Sequence, residues 1–359
     1  GQIMPPIMGA AAFLMAEYMG VTYGQVTLWA ILPAVLYFGG IFISVHLEAK
    51  KLGLKGIPRS ELPRFKYLIR NVYLLLPLVF LIWMVTANIR SLQFSAAIAI
   101  LISIAVSLVG TICDASAEVR ETKTGSVAGI TAKKTGRMIL DSLEAGGKGS
   151  ITVAVACAMA GMIAGCITVT GLASKLISGV IAISSAIPNP TLSLLLALFL
   201  TMLCCIVLGM GVPTTANYCI MASTCAPILI TLGIPKVAAH FFVFYFGIVA
   251  DITPPVALAA YAGAAIAKAP PMKTALNATR LAIAAFIIPY IFAYNNAMIF
   301  VGDVTFFGVA SIVISATLGM ASIASGFMGY LIHDLKWYSR IALIAGGLLM
   351  VIPGTVTDL

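Results

Sequence analysis

The sequence predicts an all-α, polytopic transmembrane protein whose helices are broken at several points. Of its 359 residues, 61% are hydrophobic and 9% are charged, whereas soluble domains carry about 25% charged residues. Many apolar runs reach about 18 residues or more, which is enough to cross the hydrocarbon core as a helix. Glycine and proline interrupt three of these runs, in the sequences CITVTGL, GMGVPTT and DITPP, and so predict breaks at bilayer depth.

The first part of the chain is expected to hold a broken-helix remnant at 1–20 and scaffold helices at 21–112. Apolar runs predict spans near Val26–Val45, Val72–Ala87 and Phe94–Ile112. The loop after the first span is basic, so the positive-inside rule places it in the cytoplasm; its cations are Lys50, Lys51, Lys55, Arg59, Arg64, Lys66 and Arg70. Because the chain starts inside an apolar motif, without a methionine or a basic leader, we expect it to be truncated at the N-terminus.

Residues 113–150 are polar and of mixed charge, and they are predicted to form a connector along the cytoplasmic surface. Within them, ITAKKTGRMILDSLEAGGKG has the pattern of an amphipathic helix. The consecutive glycines Gly146 and Gly147 are expected to end that helix.

Residues 151–268 are predicted to form the transport half-domain. It begins with a span interrupted at CITVTGL, continues with a hairpin at 191–232 around GMGVPTT, and ends with a broken helix at 237–268 around DITPP. The number of crossings leaves open whether the hairpin spans the bilayer or enters and returns. A re-entrant hairpin is favoured, because irregular backbone belongs in a protein-lined cavity. Residues 269–359 are expected to supply the C-terminal scaffold and extra transmembrane helices.

Two segments of the sequence form an internal repeat, IMPPIMGAAAFLMAEY near the start and ITPPVALAAYAGAAIA in the second half. Pro5 and Pro6 of the first copy correspond to Pro254 and Pro255 of the second. The basic loops place the two copies in opposite orientations across the membrane. Inverted repeats with broken helices are typical of secondary transporters, which bind substrate near the bilayer midplane.

The GMGVPTT break has the chemistry of an ion and substrate site. Carbonyl and threonine oxygens at a break can coordinate Na⁺, and the amide-rich N-termini of half-helices attract carboxylates. The candidate residues include two flexible glycines, a proline suited to a first helical turn and three polar side chains: Gly209, Gly211, Pro213, Thr214, Thr215 and Asn217. The alternative is a proline-kinked span whose threonines bond back to the backbone.

The DITPP break contributes an ionisable residue, Asp251, and its neighbour Thr253. A carboxylate at membrane depth is costly without a purpose. Asp251 could coordinate a cation, accept a proton, or cap a half-helix that begins near Pro254.

The CITVTGL break offers Thr168 and Thr170 as further oxygen ligands. Helix packing through the small residues Gly161 and Gly165 is an equally good interpretation of this region. His240 stands alone on an aromatic helix, and a hydrogen-bonded packing role is favoured there over a proton relay.

Other function classes receive little support. The sequence contains no GxxxxGK[ST], HExxH or GxSxG motif, so neither ATP-driven transport nor an enzyme is predicted. Its cysteines lack metal-ligand spacing, no cofactor is expected, and the positive charge lies in loops, which indicates membrane topology rather than nucleic-acid binding. Two alternatives stay open: another inverted-repeat, ion-coupled secondary transporter, or a structural membrane subunit that does not transport.

Long stretches of the chain resemble the large membrane subunit of TRAP transporters, the tripartite ATP-independent periplasmic systems. The resemblance is carried by GQIMPPIMGAAAFLMAEYMG, EAKKLGLKGIPRSELP, GMGVPTTANYCIMASTCAPILITLGI and HFFVFYFGIVADITPPVALAAYAGAAIA. The EAKKLGLKG loop and the C-terminal IPGTVTDL are similar to those of fused small-plus-large permeases that work with TAXI-type binding proteins.

The resemblance implies a Na⁺-driven symporter of organic anions, typically carboxylates, in a bacterial or archaeal inner membrane. It implies an elevator-type transport domain, a periplasmic binding protein that delivers substrate, and a small membrane subunit or fused domain. The implied Na⁺ ligands are Gly209, Gly211, Val212, Thr214, Thr215, Asp251, Thr253, Thr168 and Thr170. The implied substrate contacts are Pro213, Asn217, Pro254, Pro255, Pro5 and Pro6. The family's first hairpin and its Na⁺ site have no counterpart in this sequence, so the transport path is expected to be incomplete.

Overall fold

The computed structural model of the chain describes residues 2–5, 8–58, 61–62, 65, 69, 72–87, 92–122, 126–302 and 304–351. Regular structure within these ranges is helical, and the β-type pairing found there is one isolated bridge between Tyr330 and Asp334. The all-α prediction is therefore confirmed, as is the polytopic membrane class.

The described α-helices range in length from 6 to 43 residues. They are α1 (Ala10–Met19), α2 (Tyr23–Lys51), α3 (Leu76–Thr86), α4 (Leu92–Thr122), α5 (Val127–Val169), α6 (Leu172–Ser184), α7 (Pro190–Gly209), α8 (Thr214–Thr224), α9 (Ala226–Thr231), α10 (Lys236–Ala250), α11 (Leu258–Ala267), α12 (Pro271–Leu281), α13 (Ile283–Tyr294), α14 (Phe306–Met328) and α15 (Trp337–Val351). Short 3-10 helices span Val72–Leu75 and Asn296–Ile299.

Five helical segments of the described chain have the length and composition of membrane spans. They are Tyr23–Lys51, Gln93–Cys113, Pro190–Gly209, Pro271–Tyr294 and Phe306–Met328. The predicted span near Val72–Ala87 is shorter, because its apolar helix covers Val72–Val85.

The chain divides into two compact units. The first comprises Gly1–Val21, Gln25–Leu54 and Ala156–Leu359, and the second comprises Thr22–Gly24 and Lys55–Val155. In the second unit, α3 packs against α4.

The first unit is organised around α10. This helix packs against α7, α8, α9 and α13. Its aromatic residues are fully buried, as expected for a helix that is apolar on every side; they are Phe241, Phe242, Phe244, Tyr245 and Phe246. Because α10 ends at the DITPP break, the best-packed helix of the unit holds that break in place.

The predicted helix end at Gly146 and Gly147 is wrong, since α5 runs through both glycines. A glycine inside a helix costs about 1 kcal/mol relative to alanine, which is too little to stop a helix that is supported on both sides. Lys148 pairs with Glu144 at 2.5 Å, and the Ser150 hydroxyl donates to the carbonyl oxygen of Gly146 at 2.9 Å. The ion pair spans both glycines, and the hydroxyl bond ends on the first of them.

The last turn of α14 is capped by three basic side chains. Nζ of Lys51 donates to the carbonyl oxygen of Met328 at 2.8 Å, and Nε of Arg280 donates to that of Phe327 at 3.1 Å. Nε of Arg340 donates to the carbonyl oxygen of Gly326 at 2.9 Å. Cations are favoured here because the final carbonyls of a helix lack partners and carry partial negative charge.

Candidate functional site

The GMGVPTT segment is a true break between two helices. Helix α7 ends at Gly209 and α8 begins at Thr214. Between them, Met210 is extended, Gly211 has φ 72° and Pro213 has ψ 141°. Glycine reaches positive φ without strain, and proline cannot donate a helical hydrogen bond. The interpretation as a merely kinked span is therefore wrong.

The DITPP segment is a second, longer break. Helix α10 ends at Ala250 and α11 begins at Leu258 rather than near Pro254. Proline disfavours helical backbone in the residue before it, which extends the interruption. The N-cap of α11 is Ala257, which makes no side-chain cap, and the amide of Ala259 donates to the main-chain carbonyl of Asp251 at 3.0 Å. Of the three alternatives for Asp251, capping of this helix by its carboxylate is therefore wrong.

The two breaks touch each other. A β-carbon placed on Gly209 would lie 3.0 Å from Cβ of Ala250, and one placed on Gly211 would lie 3.6 Å from Cγ1 of Val256. The end of α7 thus packs directly against the end of α10, and the tip loop against the DITPP loop. This contact brings the two predicted halves of the site together.

The third break lies beside the hairpin tip. Helix α5 ends at Val169, and Gly171, with φ 65°, precedes α6. Ile167 forms a buried cluster with Ala216 and Ile220 of α8, and Val212 packs against that cluster.

The side chain of Thr170, at the third break, is bonded to the preceding turn. The hydroxyl of Thr170 donates back to the carbonyl oxygen of Cys166 at 2.7 Å, and the side chain of Thr168 lies outside the described residues. The packing alternative has no support here either. No described atom lies within 4 Å of a β-carbon placed on Gly161 or Gly165.

The hairpin tip carries oxygen atoms that are free of hydrogen bonds. Among the described residues, the carbonyls of Met210, Gly211 and Val212 accept no hydrogen bond. The hydroxyls of Thr214 and Thr215 form no hydrogen bond within the same part of the chain. Helical threonines elsewhere bond back to the preceding turn, for example Thr201, Thr224 and Thr231. The first turn of α8 lacks such a carbonyl, because the chain before it is not helical.

Asn217 supplies a further unpaired oxygen inside the protein. Its side chain is 1% exposed, and Nδ2 donates to the carbonyl oxygen of Gly247 at 2.9 Å. Because a carbonyl can only accept, this bond fixes which side of the amide faces α10. Oδ1 is buried and has no hydrogen-bond partner in the described chain. A buried acceptor without a partner is costly unless a ligand completes it.

Asp251 remains available for a ligand. Its residue is half-buried, and within the described ranges its carboxylate forms no ion pair. Its neighbour Thr253 bonds back to Val249 at 2.7 Å. The hydroxyl of Tyr261 donates to the carbonyl of Pro255, which ties the DITPP loop to α11.

The described parts of the two repeat copies share several local features. Helices α1 and α11 each contain ten residues, and each ends at a left-handed residue, Gly20 or Lys268. The amide of Gly9 donates to the carbonyl of Gln2, just as an amide at the start of α11 donates to Asp251. Pro5 lies in the turn before α1, whereas Pro6 lies outside the described residues. The opposite orientation of the copies stays a prediction.

Two residues near the site were not predicted from the sequence. Gly247 presents its carbonyl to Asn217, and Tyr218 is a buried tyrosine whose hydroxyl lies 2.8 Å from Nδ1 of His240. His240 is thus a hydrogen-bonded residue inside the helix packing. Neither residue has a local signature of this role, because Gly247 lies in an aromatic-rich apolar run and Tyr218 lies among apolar residues just after the tip.

An apolar cavity of about 730 Å³ lies away from the breaks. Its walls come from α7, α13 and α15 and include Phe199, Tyr290 and Leu348. None of its lining residues is charged. An anionic solute therefore finds no counter-charge there, and the breaks remain the better site.

The chain matches one family model over residues 1–307, that of the tripartite ATP-independent periplasmic transporter, DctM component. Neither a curated protein nor a solved structure shows significant similarity to this chain. Members of the matched family work with a periplasmic binding protein and a small membrane subunit. Because the match covers most of the sequence, the chain belongs to the DctM family, the large membrane permease component of TRAP transporters.

Proposed function

We propose that this chain forms the second-repeat ion and substrate site of a Na⁺-coupled symporter that imports organic anions, typically carboxylates. The observation that carries the proposal is the contact between two helix breaks, one of which presents unpaired oxygens around a buried asparagine. Further parts of the proposal are an inner-membrane location, an elevator-type movement and delivery of substrate by a TAXI-type binding protein.

The cation is proposed to bind at the hairpin tip. Unwound carbonyls and hydroxyl groups replace the hydration shell of Na⁺ in transporters built from broken helices. The tip offers carbonyls at 210–212, the hydroxyls of Thr214 and Thr215, and Oδ1 of Asn217. Asp251, on the adjoining loop, supplies the negative charge that a cation in a membrane requires.

The carboxylate of the substrate is proposed to bind at the N-termini of α8 and α11. The first amides of a helix have no intrahelical partners, and the helix dipole favours an anion there. The tip loop lies against the DITPP loop, as the Gly211–Val256 contact shows, so these two helix starts border the same place. The proline residues Pro213, Pro254 and Pro255 keep the backbone at both starts out of the helix.

The first test removes the two tip hydroxyls. The double substitution Thr214→Val/Thr215→Val is expected to raise the Na⁺ concentration for half-maximal uptake about tenfold or more, because a hydrogen-bonding group that interacts with a charge is worth about 1.5–3 kcal/mol. Uptake of radiolabelled substrate is measured against Na⁺ in proteoliposomes that contain the assembled transporter. The matched control is Thr231→Val, since that hydroxyl bonds back to Pro227 at 2.8 Å. Unchanged Na⁺ activation in the double variant would contradict the tip site.

The second test neutralises the carboxylate. Asp251→Asn is expected to reduce Na⁺-coupled uptake at least about tenfold while membrane insertion is retained, because a neutral amide costs less than a charge in the bilayer. Uptake is compared with the amount of transporter in the membrane, and Glu17→Gln, on the exposed side of α1, serves as the control. Full Na⁺ stimulation in Asp251→Asn would exclude this residue as a coupling group.

A further inference from the structure

The helix that carries the proposed tip ligands is held to α10 by two hydrogen bonds from adjacent residues. One joins Nδ2 of Asn217 to the carbonyl of Gly247, and the other joins the hydroxyl of Tyr218 to Nδ1 of His240, at 2.9 and 2.8 Å. The two attachment points on α10 are seven residues apart, which is about two helical turns. Adjacent residues of α8 therefore anchor it at two levels of the same neighbouring helix.

The Tyr218–His240 bond is deeply buried. Tyr218 is 1% exposed and His240 is 4% exposed. The ring of Tyr218 also meets the edges of Tyr18 and Phe244, with centroids 6.1 and 5.8 Å away. An aromatic pair in this arrangement has few alternative positions, because protein interiors are close-packed.

Helix α8 needs such an anchor. It contains 11 residues, and isolated helices of this length are marginal. Its first turn starts after four non-helical residues, so the preceding chain does not extend it. Asn217 belongs to the proposed cation site, whereas the hydroxyl of Tyr218 and the ring of His240 are paired with each other. Their bond can therefore hold α8 in place whether or not the cation is bound.

We infer that Tyr218 and His240 are positioning residues, whose hydrogen bond fixes the first turn of α8 so that Thr214, Thr215 and Asn217 lie in register for the cation. The inference rests on the proposed function. It assigns a role in Na⁺ affinity to two side chains that do not touch the ion.

The test separates positioning from stability. Tyr218→Phe is expected to raise the Na⁺ concentration for half-maximal uptake about fivefold, the equivalent of one buried hydrogen bond, with the maximal rate little changed. His240→Leu is expected to do the same. Both single variants are also expected to lower the thermal unfolding temperature, because each leaves the polar atom of the other residue buried without a partner. The double variant Tyr218→Phe/His240→Leu is expected to recover the unfolding temperature but not the Na⁺ affinity.

Two further variants complete the design. His240→Asn keeps an amide, which can accept or donate a hydrogen bond, near the position of Nδ1 and is expected to restore Na⁺ affinity toward wild type. Tyr245→Phe is the matched control, since the hydroxyl of Tyr245 is buried on the same helix without a partner in the described chain; it is expected to leave Na⁺ affinity unchanged. All variants are compared in proteoliposomes that contain the assembled transporter.

The possible outcomes are distinct. Unchanged Na⁺ activation in Tyr218→Phe would overturn the inference, and so would a double variant that regains affinity together with stability. A His240→Asn variant that behaves like His240→Leu would also overturn it. Wild-type uptake without any Na⁺ dependence would overturn the proposed function and the inference together.

Discussion

The substitution Gly209→Ala is expected to reduce transport about tenfold or more. This is the largest effect expected from adding one methyl group anywhere in the site. A β-carbon at this position would lie 2.7 Å from Nδ2 of Asn217, 3.0 Å from Cβ of Ala250 and 3.0 Å from Cε of Met221. The methionine can move, but the asparagine is held by Gly247 and Ala250 belongs to the end of α10. Overpacking of this kind costs about 1–3 kcal/mol, and the strain falls on the contact between the two breaks.

The measurement is the initial rate of substrate uptake, corrected for the amount of transporter in the membrane. Gly179→Ala is the matched control, because a β-carbon there meets no described atom within 4 Å and the residue lies inside α6. Alanine is the better helix former, so the control should retain full activity. Wild-type uptake in Gly209→Ala would show that the close approach of α7 to Asn217 has no part in transport.

The substitution Gly347→Ala is expected to cause the largest loss of stability in the C-terminal helices. A β-carbon on Gly347 would lie 2.6 Å from the carbonyl oxygen of Gly319 and 2.6 Å from Cγ1 of Ile323. Because backbone cannot swing away as a long side chain does, α14 and α15 would have to separate. Small residues allow helices to approach this closely in membranes, where packing provides much of the association energy.

The neighbouring glycine provides the control for this prediction. A β-carbon on Gly346 meets no described atom within 4 Å, so Gly346→Ala should leave the thermal unfolding temperature unchanged. Gly347→Ala should lower it by several degrees, as about 1–3 kcal/mol of overpacking would in a domain of this size. Unfolding is followed in detergent with a thiol-reactive dye. Equal unfolding temperatures for the two variants would mean that α14 and α15 do not pack through Gly347.

Residues 308–359 lie beyond the family match, which ends at residue 307. The α14–α15 packing and the capping of α14 by Arg340 both involve this segment. Since none of these contacts reaches the helix breaks, Gly347→Ala should affect stability more than Na⁺ affinity. The contrast with Gly209→Ala therefore separates scaffold defects from site defects.

Local chemistry made the membrane class and the position of the main breaks predictable. Apolar runs of sufficient length predict spanning helices wherever they occur. Gly211 and Pro213 interrupt a helix through their own backbone, because one favours positive φ and the other lacks an amide hydrogen. The free hydroxyls of Thr214 and Thr215 follow from the same cause, since a first helical turn has no preceding carbonyl to bind them.

Two helix boundaries predicted from local chemistry were wrong. Gly146 and Gly147 have the composition of a helix end, yet α5 continues through both, because about 1 kcal/mol per glycine is too little to end a helix that extends to Val127 and Val169 on either side. The start of α11 at Leu258, instead of near Pro254, goes with a loop that folds back so that the amide of Ala259 donates to the carbonyl of Asp251.

Only tertiary packing decides which atoms of the site meet. Asn217 and Gly247 are thirty residues apart in sequence, and Tyr218 and His240 are twenty-two apart. Their hydrogen bonds exist because α8 folds back against α10, and no periodicity or composition marks either pair. A helix break is a property of a few consecutive residues, whereas a binding site requires two such breaks to pack together, and that depends on the surfaces of whole helices.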